Sequence, residues 1–161
     1  MKNTRAVQPH PPSPDQDPDK IFCAGLSLLR NDDLKGAMVA FENALRLDPE
    51  EAMYMSYLGL TRVLLRKGVK EAVALCEKAA DKNFWQPEIY HNLGRVYLMR
   101  GERKKALDAL MQGLKIDKND EEIPQELNRM RTRSAPPIPF LHRDNPLNFY
   151  LGKLLGKLGL R

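Results

Sequence analysis

The sequence predicts an all-α solenoid of three helix–turn–helix units, and three observations lead there. Small residues recur at fixed steps: Gly25, Ala37 and Ala44, then Gly59, Ala72 and Ala79, then Gly94, Ala106 and Gly113. The glycines stand 34 and 35 residues apart, a period long enough for two helices and their turns. Within each unit the apolar residues fall into two stripes at helical spacing, divided by turn residues.

The stretch Gly36 to Pro49 shows why the small residues matter. Ala37, Phe41 and Ala44 lie on one helical face. Two alanines let a second helix approach, and the ring between them fills the gap. Asp48 and Pro49 then stop the helix.

In chain order, residues 1–17 carry Pro9, Pro11, Pro12 and Pro14 with few large apolar side chains, so they are expected to be disordered. Asp17 is placed to cap the first helix, with Pro18 in its first turn. First helices are predicted near 19–30, 53–66 and 88–100, and second helices near 34–47, 69–81 and 103–116. Gly68, Gly101 and Asn31 are the expected left-handed residues between them. Unit two has one extra residue, assigned to a lengthened turn at Arg66–Val69. Trp85, beside Phe84 in the next linker, is expected to plug a gap between units. Residues 121–133 read as one more first helix, with Ile123, Leu127 and Met130 as its stripe, capping the array. The units are thus 18–51, 52–86 and 87–120, in a domain spanning 18–133.

The prolines of 134–139 break the helix pattern. A final amphipathic helix follows, with Asn145 as cap and Pro146 in its first turn. Leu147, Leu151, Leu154, Leu155 and Leu158 form its stripe, and Lys153, Lys157 and Arg161 its cationic side. Its glycines weaken it by about 1 kcal/mol each, so it needs a surface to form on. The expected surface is the array itself, reached by residues 146–160.

The pattern resembles the tetratricopeptide repeat (TPR) family. Leu93, Gly94 and Tyr97 match its first-helix signature in unit three. Unit two keeps Leu58 and Gly59 but has Arg62 in place of Tyr; unit one has Ala24, Gly25 and Leu28. The aromatic slot of the second helix holds Phe41, Cys76 and Leu110, and the closing proline is present only as Pro49. The stretch 136–148 resembles tails of small bacterial members. The resemblance implies a curved array whose first helices line a concave groove. Its groove-facing slots hold Phe22, Leu26, Leu29 and Arg30, then Met53, Ser56, Leu60, Val63 and Leu64, then His91, Arg95, Leu98 and Met99. The capping helix adds Gln125, Arg129 and Arg133. The family's carboxylate clamp is not matched, because Phe22 and Leu26 stand where it would begin and only Asn92 lies at a matching Asn slot.

Chemistry is not signalled. His10, His91 and His142 fall in separate segments without metal-ligand spacing, and no Gly-rich phosphate loop occurs, so no catalytic residue, cofactor or metal is expected. Cys23 and Cys76 fall at core-facing slots and read as buried small hydrophobes, not a disulfide. The formal net charge is +5, with an acidic first unit and a basic remainder. Arg103, Lys104 and Lys105 read as a solvated face, and nucleic acid is not expected as a partner. No run of 18 apolar residues and no secretory core occur, so a cytoplasmic protein is expected.

The functional expectation is a non-enzymatic protein-interaction module. It would bind a peptide or helix with apolar anchors and acidic residues in a groove made by Phe22, Leu26, Met53, Ser56, Leu60, His91, Arg95, Met99 and Arg129. Two alternatives stand beside it: membrane attachment through the last helix, and a nucleic-acid-associated role for the basic units.

Overall fold

The computed structural model describes residues 17–132 and 146–157, and every regular element among them is a helix. The expectations for residues 1–16, for 133–145 (Arg133, the proline-rich connector and the Asn145 cap) and for Leu158 onward lie outside the described residues.

Three helix pairs come first: α1 (Pro18–Arg30) with α2 (Leu34–Leu47), α3 (Ala52–Leu64) with α4 (Val69–Lys82), and α5 (Pro87–Met99) with α6 (Arg103–Ile116). Then come α7 (Glu122–Thr132) and α8 (Pro146–Lys157). The chain divides into two compact units after Ile123, and each is described by itself.

Local chemistry accounts for the helix ends. Asp17 caps α1 by accepting from the Asp19 N–H at 3.0 Å, with Pro18 in the first turn. Asp33 and Glu51 cap α2 and α3 in the same way, through Gly36 and Met53. The Ile123 N–H finds Asp120 at 2.7 Å.

Each first helix ends in the same Schellman turn. The N–H groups of Asp33, Lys67 and Glu102 reach back to the carbonyls of Leu28, Arg62 and Tyr97. The left-handed residue of that turn is Asp32 (φ 61°), Arg66 (φ 55°) and Gly101 (φ 78°). The sequence reading picked Asn31 and Gly68 for this part, and both are corrected. Asn31 has φ −85°, because it is the C-cap of α1 and the left-handed position comes one residue later. Gly68 is left-handed at φ 51° but caps the start of α4. The extra residue of unit two is absorbed between Arg66 and Gly68.

Within each pair, the recurrent glycine sits where the two helices cross. A β-carbon on Gly25 would stand 2.5 Å from the Phe41 ring, and one on Gly94 2.6 Å from Leu110. At Gly59 it would overlap the Cys76 sulfur. Ala37, Ala44, Ala72, Ala79 and Ala106 are wholly buried, as close packing requires. Around the first crossing, Phe22, Phe41, Tyr54 and Tyr57 form an aromatic cluster with ring centroids 4.8–5.7 Å apart.

Between pairs, α2 packs on α3, α4 on α5, and α3 on α5. One polar contact recurs at equivalent positions. Arg62 donates to Glu42 at 2.8 Å, and Tyr97 donates to Glu77 at 2.7 Å. The departure from the family pattern at Arg62 therefore reaches the same acceptor slot as the expected tyrosine. Cys76 is buried as expected, but Cys23 is exposed. At its slot in unit three, Asn92 bonds back to Ser56 of the preceding unit. Among the described residues no helix precedes α1 to cover Cys23.

In the second unit, α8 presents Tyr150 and Leu154 to solvent beside exposed Lys153 and Lys157, while Leu151 and Leu155 are half-buried. No described helix is long and apolar enough to cross a membrane.

Candidate partner-binding groove

The first helices present a cleft of about 410 Å3. Its apolar wall is Leu26 and Leu29 of α1, Leu34 of α2, and Tyr57 and Leu64 of α3. Its charges are Arg30 and Arg95 against Asp32 and Glu122. The Schellman turn at the end of α1 sends the chain back into α2, which is why Asp32 and Leu34 join a surface otherwise built by first helices.

A polar seam runs beside the cleft. Asn92 is buried and donates to the Ser56 hydroxyl at 3.1 Å. Ser56 in turn offers its carbonyl to the Cys76 thiol at 3.5 Å. Tyr57 shares a hydrogen bond with Asn92. Burial raises the Tyr57 pKa, the carboxylates of Glu88 and Glu122 push the same way, and Asn92 and Arg95 oppose them. The phenol therefore stays protonated as a hydrogen-bonding group. His91 is 8% exposed, and its Nδ1 lies 3.2 Å from Glu122 Oε2.

The groove residues expected from sequence divide into three groups. Leu26 and Arg95 line the cleft. Phe22, Ser56 and Leu60 are buried: Phe22 in the aromatic cluster and Ser56 in the polar seam. A ligand cannot touch them without displacing packed neighbours. Half-buried Met53 packs on the core around Phe22, and His91 is held beside Glu122. Met99 is 48% exposed and does not line the cleft. Arg129 pairs with Glu126 at 3.0 Å within the second unit. Tyr57, Asp32, Leu34 and Glu122 were not picked from sequence. Tyr57 shares the slot of Asn92 one unit on, and that was the available signal.

Residues 69–124 match a family model described as Tetratricopeptide repeat. The chain has the tetratricopeptide repeat fold. No curated protein matches its sequence. Among solved structures, the first TPR of Spaghetti (RPAP3) bound to the HSP90 peptide SRMEEVD is similar at 16% identity and TM-score 0.60, over 71% of this chain and 90% of that one. The Arabidopsis OM64 TPR domain is similar at 15% identity and TM-score 0.60, over 73% and 96%. The Yersinia enterocolitica type III secretion chaperone SycD, in complex with a peptide of the translocator YopD, gives 16% identity and TM-score 0.55, over 71% and 86%. At these identities the likeness shows the TPR fold.

Proposed function

We propose that this TPR array is a non-catalytic protein-interaction module whose cleft takes a short protein segment carrying apolar anchors and an acidic group. The cleft itself carries the reading: Leu26, Leu29, Tyr57 and Leu64 offer apolar surface, with Arg30 and Arg95 beside it. Apolar anchors supply most of the affinity in such contacts, and the charges set register. Asp32 and Glu122 restrict where an acidic side chain of the segment can lie. Two of the similar TPR structures are complexes with peptides, which supports reading the fold here as a peptide-binding scaffold.

A selection from a displayed random-peptide library tests this. Enriched peptides should combine leucine-like anchors with Asp or Glu. Leu64→Glu and Arg95→Glu should each release them while the helical circular-dichroism signal is unchanged. Binders indifferent to both substitutions would overturn the reading.

Membrane attachment is a second reading, favoured by Tyr150 and Leu154 lying exposed beside Lys153 and Lys157. Co-sedimentation with vesicles containing phosphatidylserine, lost in Leu154→Glu, would support it. Absence of co-sedimentation would remove it.

A further inference from the structure

Three turns link second helices to the following first helices, and their backbones agree. Asp48, Asn83 and Asp117 end α2, α4 and α6 with φ of −128°, −132° and −123°. Each returns its N–H to the carbonyl of a small residue: Ala44, Ala79 or Gly113. The next two residues are Pro49 and Glu50, then Phe84 and Trp85, then Lys118 and Asn119. The turn therefore forms equally well without aromatics. Yet Phe84 and Trp85 are 62% and 63% exposed, with rings edge to face at 4.6 Å between centroids. The sequence expectation that Trp85 plugs a gap between repeats is overturned: the close approach of the small helix residues leaves no gap for it. Two large aromatics held together and mostly in water mark an interaction surface.

We propose that this aromatic turn is a binding surface separate from the cleft, and that its partner is a cationic protein segment bearing arginine or lysine. Charge decides the chemistry. The Lys82 ammonium beside the turn pairs with Glu50, which ties it to the preceding turn. That turn carries Asp48, Glu50 and Glu51, and the following one Asp117, Asp120 and Glu121. The last turn of α6, which leads into the following turn, packs on the start of α5: a β-carbon on Gly113 would stand 3.4 Å from the Pro87 carbonyl oxygen. Lys78, whose charge reaches Glu50, and Lys118 offset part of this. Exposed aromatics on a turn also suit a lipid interface, but flanking carboxylates repel anionic headgroups. The same carboxylates attract a guanidinium or ammonium group, and the indole and phenyl faces hold it by cation–π contact. These carboxylates draw a cationic segment to this edge although the formal net charge of the chain is +5.

Trp85 is the only tryptophan in the sequence, so its emission reports on this surface alone. The experiment titrates the full chain with an octa-arginine peptide at physiological salt, beside octa-glutamate and vesicles of phosphatidylcholine with phosphatidylserine. The proposal expects a saturable change in Trp85 emission with octa-arginine only. Phe84→Ala should weaken it by about tenfold, the size of a well-placed cation–π and packing contact. Glu121→Lys should weaken it too, and neither substitution should alter the helical melt. No saturable change with octa-arginine, equal affinity in Phe84→Ala, or a response to vesicles in place of the peptide would each overturn it.

Discussion

A β-carbon placed on Gly59 would stand 2.7 Å from the Ala72 carbonyl oxygen. That oxygen is backbone in the first turn of α4 and cannot swing aside as a side chain can. The crossing of α3 and α4 is therefore set by the absence of one carbon atom. Gly59→Ala is expected to destabilise the protein by about 1–3 kcal/mol, as overpacking does. Urea denaturation checks this. Exposed Gly101→Ala is the control for backbone strain alone, since nothing lies within 4 Å of its added carbon.

Arg62 and Tyr97 reach equivalent carboxylates, Glu42 and Glu77, in the preceding repeat. Arg62→Ala should lower stability by about 0.5–1 kcal/mol, given a partly exposed pair. Arg62→Tyr should recover most of that loss if the slot asks only for a long donor. A double-mutant cycle with Glu42→Ala measures the coupling.

Alkaline pH should loosen the array. Burial pushes the Cys76 thiol up to about 12 and raises the Tyr54 and Tyr97 phenols beyond their ordinary range, with Asp19 and Glu77 as hydrogen-bond acceptors adding to the phenol shifts. The folded state holds these protons and the unfolded chain releases them. Their contribution is thus fully present below the unfolded pKa values, about 8.5 for Cys and 10 for Tyr, and is lost as pH rises past them. Urea midpoints should be flat up to about pH 8 and fall between about pH 9 and 12. Cys76→Ala with Tyr97→Phe should flatten that fall.

Arg66 holds a left-handed backbone, φ 55°, at the position where Gly101 serves in the third repeat. Its side chain is exposed. Arg66→Gly should stabilise the protein by about 0.5–1 kcal/mol, the strain relieved exceeding the entropy glycine adds to the unfolded chain. A raised thermal midpoint checks it.

The helices were legible in the sequence because their contacts are written in residue size. Gly25, Gly59 and Gly94 mark the crossings, and the alanines twelve or thirteen positions on mark the opposing faces. All six helices of the three pairs fall within two residues of the boundaries expected from that spacing. The cleft was less legible. A slot number says which way a side chain points but not whether its neighbours close over it. Phe22 points as expected and is then enclosed by Phe41, Tyr54 and Tyr57. Trp85 erred the other way, because its size suggested a gap that small-residue packing had closed. The left-handed residues were misjudged for a related reason. Gly is the usual choice there, but the hydrogen bonds of the turn impose the same conformation on Asp32 and Arg66.

The α3–α4 turn is one residue longer than its two counterparts, yet the helices it joins cross through the same glycine and alanine slots. The length of a repeat and the pitch of the array are therefore separable properties. Contacts at Gly59 and Ala72 hold the pitch, while the chain between Arg66 and Gly68 carries the slack. That makes Lys67, exposed and outside any helix, a natural splice point. An epitope or a small foreign domain inserted there would decorate the solenoid without altering how its layers stack.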